Sequence, residues 1–187
     1  MSRDPRAVVL VEGVSDRAAV EALADRKGRD LEAEGISVAA IGGAQALGRH
    51  LRELVPQGVR LAGLYDAGEE SDVTRALERA GLGDDLSRPD LEALGFFVCV
   101  EDLEDELIRA LGTPAVLAVV EAQGELGPFR TLQKQPAQRD RPLERQLHRF
   151  IGTKSGRKIR YGRLLVEALE PDQVPRPLRE VLAHVRH

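Results

Sequence analysis

Over the first 110 residues, short runs of apolar side chains alternate with stretches whose apolar positions recur every three or four residues. The runs Ala7-Val8-Val9-Leu10-Val11, Leu61-Ala62-Gly63-Leu64-Tyr65 and Phe96-Phe97-Val98-Cys99-Val100 have strand length and offer no polar face to water. With the weaker segment Ile36 to Ile41, they predict strands over 7–12, 36–41, 61–66 and 95–100. Between them, Ala19, Val20, Leu23 and Ala24 predict a helix from Asp16 to about Gly28, and Leu47, Leu51 and Leu54 one from Ala44 to about Leu54. Further helices are expected from Ser71 to Ala80 and from Leu103 to Leu111, with a loop over 81–89. Such alternation specifies an α/β fold, a mainly parallel central sheet flanked by helices. From Gly112 onward no strand pattern survives. Helices are predicted over 114–122, 141–151, 157–169 and 175–185, separated by Gly and Pro breaks. The expected organisation is an α/β catalytic domain over 1–111 and a C-terminal helical extension over 112–187.

Three of the apolar runs end in acid. The first passes into Glu12-Gly13-Val14-Ser15-Asp16, with Ser15 the expected helix cap; the third ends at Asp66, and the fourth leads into Glu101-Asp102-Leu103-Glu104. In a parallel sheet these acids share the C-terminal edge, where ligands collect. Crowded carboxylates repel one another, and a hard divalent cation relieves that repulsion. Glu12, Asp16, Asp66, Asp102 and Glu104 supply enough oxygen ligands for a pair of Mg²⁺ or Mn²⁺ ions, the arrangement that phosphodiester hydrolysis uses.

Composition narrows the class. The 187 residues are 42% hydrophobic and 31% charged, as expected of a globular chain, and only 3% aromatic, which disfavours base-stacking platforms. Cys99, the single cysteine, sits in an apolar run and excludes an internal disulfide or a cysteine-built zinc site. No apolar run is long enough to span a bilayer, and the N-terminus lacks a signal-peptide core, so a cytoplasmic location is expected. The formal net charge of −4 divides into −10 over residues 1–110 and +6 over 111–187. An acidic part that gathers cations beside a basic part that meets phosphates suits a nucleic-acid enzyme.

The order VEGVSD, then LYDAGEE, then EDLEDEL resembles a Toprim domain, the module of topoisomerases, bacterial primases and several nucleases. It is most similar to the nucleases of the OLD family. Glu12, Gly13, Ser15 and Asp16 match the opening motif, Gly42 and Gly43 the glycine pair after the second strand, and Asp102 and Glu104 the last acidic motif. The resemblance covers residues 7 to about 107 and implies a two-metal DNA endonuclease. Glu12, Asp16, Asp66, Glu69, Asp102 and Glu104 are then metal ligands, and Glu12 is also a catalytic residue. Where the family pattern has Asp-x-Asp, this chain reads Asp66-Ala67-Gly68-Glu69; two metals or one follow according to whether Glu69 reaches inward. A lysine beyond the sheet that steadies the phosphate is also implied, with Lys158 the first choice and Lys154 the second, both in the basic run 152–163. DNA is expected over RNA as the substrate. OLD proteins carry an ATPase ahead of this domain; none is present in this chain, so a stand-alone Toprim protein or an ATPase partner in trans is expected. A non-catalytic module that binds nucleic acid or that ATPase is the alternative.

Other features carry less. The segment Gly152 to Lys158 superficially resembles a phosphate-binding P-loop but lacks its spacing and its preceding strand. His50, His148, His184 and His187 are dispersed and are expected at the surface or the terminus.

Overall fold

Strands β1 (Ala7–Val11), β2 (Ile36–Ala40), β3 (Arg60–Asp66) and β4 (Phe96–Cys99) form one sheet in the order β2-β1-β3-β4 in the computed structural model, which describes residues 5–186. Every pairing is parallel, with Val9 opposite Val38 and Ala62, and Gly63 opposite Phe96. All four strands therefore end at one rim. The expectations for residues 1–4 and for His187 lie outside the described residues.

Pleating divides the strand residues between two apolar clusters. Val8, Leu10, Leu61, Tyr65 and Phe96 turn to one face, where they meet α2 (Ala44–Leu54), α3 (Glu70–Arg79) and the short α4 (Arg88–Ala93). Ala7, Val9, Val11, Ala62, Phe97 and Cys99 turn to the other. That face is covered by α1 (Val14–Arg26) and α5 (Leu103–Leu111), and by helices drawn from the C-terminal part of the chain. These are α6 (Thr113–Ala122), α7 (Leu126–Gln133), α8 (Pro136–Arg139), α9 (Leu143–Gly152), α10 (Ser155–Ala168) and α11 (Arg176–His184). One apolar cluster runs without interruption from Val9 through Leu107 and Leu165 to Val181.

Three helices escaped the sequence pattern, for a common reason. In α7 and α8 the residues read as breaks, Gly127-Pro128 and Pro136, occupy the first turn, where the missing proline N–H has no intrahelical partner to lose. The six residues of α4 follow a loop rich in Gly and Asp. Asp90 accepts a bond from the Ser87 N–H at 2.9 Å, closing the helix start. At α1 the cap is Gly13 rather than Ser15, which is buried within the first turn.

Gly162 fixes how α10 lies on α1. A β-carbon there would stand 2.7 Å from the backbone oxygen of Ser15, so the helix can rest directly on the start of α1 only because no side chain intervenes. Gly162→Ala is expected to cost about 1–3 kcal/mol in chemical denaturation, because overpacking against backbone cannot relax through a rotamer. Gly156→Ala, with open space at the corresponding position, is expected to raise stability by about 0.4–1 kcal/mol.

Candidate metal centre

The rim is built where β1 and β3 part company from the direction of chain growth. β2 lies on one side of β1 and β3 on the other, which makes the β1/β3 edge the topological switch point at which such sheets bind ligands. Glu12 follows β1 directly and Asp66 ends β3, so the two acids flank that crevice. The β1–β2 ladder continues one step past the strands, with the Gly42 N–H donating to the Glu12 carbonyl at 2.8 Å. Gly42 and Gly43 then turn back with φ of 80° and 108°, conformations that favour glycine.

Asp16 is the third residue of α1, and its Oδ2 accepts the Gly13 N–H at 2.7 Å, closing the strand-to-helix turn. Asp102 caps α5: Oδ1 accepts the Asp105 N–H at 2.8 Å while Oδ2 lies 2.7 Å from His148 Nε2 on α9. Glu104, on the first turn of α5, is buried, and Lys158 Nζ on α10 approaches its Oε2 to 3.3 Å. That approach balances charge without hydrogen-bond geometry, and Oε2 has no hydrogen-bond partner.

The acids feel one another. Burial, reinforced by the charges of Glu12, Asp102, Asp16 and Glu69, pushes the Asp66 carboxyl up to about 8. Burial and the Glu104 charge push Asp16 up to about 7, against the pull of the Gly13 N–H and Lys158. Burial acts on Asp102 in the same sense but is outweighed by His148 and the Asp105 N–H, which hold it below the usual range. The bond to Asp102 raises His148. Lys158 is raised too, because Glu104 and Asp16 overcome its desolvation.

Glu12, Asp16, Asp66, Asp102, Glu104 and Lys158 thus meet at one rim. Glu69, at the end of the 3₁₀ turn Ala67–Glu69, lies close enough to raise Asp66 and shares a small recess with Glu12. Lys154 stays apart, exposed at the cap of α10. His148 was expected at the surface but is half-buried against Asp102, and His184 packs edge-on to Phe97 at 6.4 Å. Arg145, one turn before His148, bonds Glu101 and stands 3.8 Å from Asp105. The signal available in the sequence was the spacing Arg145/His148 opposite the apolar Leu147, Phe150 and Ile151, which leaves both on the other side of α9. Val14, Val100 and Ile159 are exposed large apolar residues within two positions of Glu12, Asp102 and Lys158 in the chain. Ile159 is exposed, whereas Gly162 and Val166 of the same helix are buried.

A set of carboxylate oxygens, one of them buried without a hydrogen bond, fits a hard divalent cation, since a cation stabilises the charged form that burial and crowding disfavour. Among the described residues no three such groups are yet gathered into a ligand shell.

Residues 5–67 match the family model "Overcoming lysogenization defect protein-like, TOPRIM domain". The chain is similar to the C-terminal region of the Xanthomonas campestris pv. campestris OLD protein, solved with platinum, at 26% identity and a TM-score of 0.74, covering 97% of this chain and 92% of that one. The mercury-phased structure of the same region gives 26% identity and a TM-score of 0.72, over 97% and 95% of the two chains. The C-terminal region of the Burkholderia pseudomallei OLD protein shares the fold, with 22% identity and a TM-score of 0.71 over 97% of each chain. No curated protein sequence matches.

An acid raised on folding binds more protons in the native than in the unfolded state between its two pKa values. The stabilising contribution of Asp16 and Asp66 is therefore present below about pH 4 and lost as pH climbs through about 7 to 8. With EDTA, Asp66→Asn is expected to flatten the fall in melting temperature between pH 6 and 8.5. In the wild-type protein, Mn²⁺ is expected to raise the melting temperature by more at pH 8.5 than at pH 6.

Proposed function

We propose that this chain, which carries an OLD-like TOPRIM domain, is a divalent-metal-dependent endonuclease that hydrolyses DNA phosphodiester bonds. One observation carries the reading: acids from three strand ends converge at the sheet's switch point, where burial and mutual charge raise two of them to about 7 and 8. TOPRIM domains generally bind divalent metals. Here Glu12, Asp16, Asp66, Asp102 and Glu104 would hold Mg²⁺ or Mn²⁺, with Glu69 the candidate ligand of a second ion. When bound, such ions supply Lewis-acid stabilisation of the charge on the attacking and leaving oxygens.

The chain's own groups do the rest. Glu12, exposed at the end of β1, accepts a proton from the water whose oxygen bonds to phosphorus as the P–O ester bond breaks, and the leaving sugar oxygen takes up a proton from solvent. Lys158, held by the buried Glu104, keeps a cation where non-bridging phosphate oxygens carry charge. His148 fixes the rotamer of Asp102, as outer partners of metal-binding carboxylates do. Lys154, exposed at the N-cap of the same helix and apart from the carboxylates, is the second choice for that role. The acidic residues 1–111 hold the ions and the basic residues 112–187 bring cations to the substrate. A cytoplasmic location and an ATPase supplied in trans belong to the same reading. No helix among the described residues is long and apolar enough to cross a membrane.

A second reading has its own support. The acid that the Asp-x-Asp pattern places two residues after Asp66 is displaced to Glu69, which suits a non-catalytic module that binds nucleic acid or a partner ATPase.

Supercoiled plasmid incubated with the protein and Mn²⁺ is expected to be nicked, with Glu12→Ala and Lys158→Ala each lowering the rate at least 100-fold. Cleavage indifferent to Glu12→Ala would overturn the nuclease assignment. In calorimetry, His148→Ala is expected to weaken Mn²⁺ binding about 10-fold, and absence of any Mn²⁺ binding by the wild-type protein would favour the non-catalytic module.

A further inference from the structure

On the face of the sheet opposite Lys158, α2 and α3 run side by side and leave a groove of about 490 Å³ between them. Its walls carry Arg49 and Arg52 from α2 and Arg75 and Arg79 from α3, all exposed. Small residues, Gly48 and Ala76 among them, keep it open. One carboxylate lines it, Asp72, already paired with Arg75. Arg52 donates to the Gly48 carbonyl of its own helix at 3.1 Å, while Arg49 and Arg79 have no hydrogen-bond or ion-pair partner among the described residues. Four guanidiniums against one acid make a cationic strip on a part of the chain, residues 1–110, whose net charge is −10 with these residues counted. The site chemistry described above makes no use of it.

We infer that this groove is a second nucleic-acid contact, a track for the sugar–phosphate backbone leading away from the carboxylate rim. Two observations select a phosphate polymer. First, α2 and α3 both begin where β2 and β3 end, so the groove opens at the rim itself, with Gln45 and Asp72 lining it in the first turns. Second, the cations are stepped: Arg49 and Arg52 lie about 4.5 Å apart along their helix axis and Arg75 and Arg79 about 6 Å. Successive phosphates of one duplex strand advance about 3.4 Å along the duplex axis, so each arginine pair spans one to two nucleotides. Guanidinium forks bind phosphate oxygens in pairs, and the contact is independent of base sequence. The choice of DNA as the polymer rests on the proposed nuclease activity; the groove itself stands apart from the cutting site.

Fluorescence anisotropy of a labelled 30-base-pair DNA, titrated with the full chain in EDTA between 50 and 200 mM KCl, tests this. Arg49→Ala/Arg79→Ala is expected to lower affinity about tenfold at 100 mM KCl and to reduce the slope of log K against log salt by about 1.8, or 0.9 for each lost phosphate contact. Arg49→Glu/Arg79→Glu is expected to weaken binding further, and the double lysine variant to retain the slope. Unchanged affinity and slope in the alanine and glutamate variants, with melting temperatures matching wild type, would overturn the inference. So would a wild-type protein that does not bind DNA, or loss confined to polyglutamate, which would assign the groove to an acidic protein. Mn²⁺-dependent hydrolysis of bis(p-nitrophenyl) phosphate, too small to reach the groove, is expected to be equal in all variants. If no variant hydrolyses it while DNA binding still falls, the groove stands and the nuclease reading fails.

Discussion

Like charges forced together at one end of a parallel sheet govern the rest of this molecule. Each strand that ends in a carboxylate adds to a field that neither water nor the helix starts fully screen, and Asp16 and Asp66 show its size in carboxyls raised to about 7 and 8. The protein offsets part of the repulsion with cations from distant sequence. Lys158 faces Glu104, His148 faces Asp102, and Arg145 bridges Glu101 and Asp105. Arg109 neutralises Asp105 and Glu106 at 2.7 and 2.9 Å from within the same helix. The acids nearest the switch point, Glu12 and Asp66, lie outside these pairings.

That arrangement needs the basic helices held tightly against the sheet. Gly162 lets α10 lie on the backbone of α1, and Arg26 of α1 donates to the Val166 carbonyl at 2.7 Å. Farther along, Glu125 gathers Arg157, Arg160 and the Tyr161 hydroxyl; burial would raise its carboxyl, but these donors hold it below the usual range. Arg157 is itself buried and stacks on Phe150 at 4.0 Å. A buried ion pair of this kind contributes little net stability against an apolar replacement. It ties α10, one residue before Lys158, to Glu125 at the start of α7.

Much of the fold was legible because its signals are local. The strands, α1, α2, α3, α5 and α10 follow from periodicity alone, and the acids at strand ends follow from knowing that parallel strands finish at one edge. The 3₁₀ turn that carries Glu69 was hidden, because a one-residue displacement in a motif does not say which way a turn will face. Helices α4, α7 and α8 were hidden by Gly and Pro, which mark a helix start as readily as an end. His148 was hidden because the acid it meets, Asp102, is 46 residues away in the chain.

By itself, then, the sequence determined an α/β sheet, its buried strands and the types of side chain delivered to its rim, since each depends on neighbours within a few residues. Tertiary structure alone decided which cations face which acids, that Lys158 and not Lys154 enters the cluster, and that four arginines from two helices line one groove. Those outcomes depend on distances across the fold, where electrostatic energy varies with separation in space and takes no account of separation along the chain.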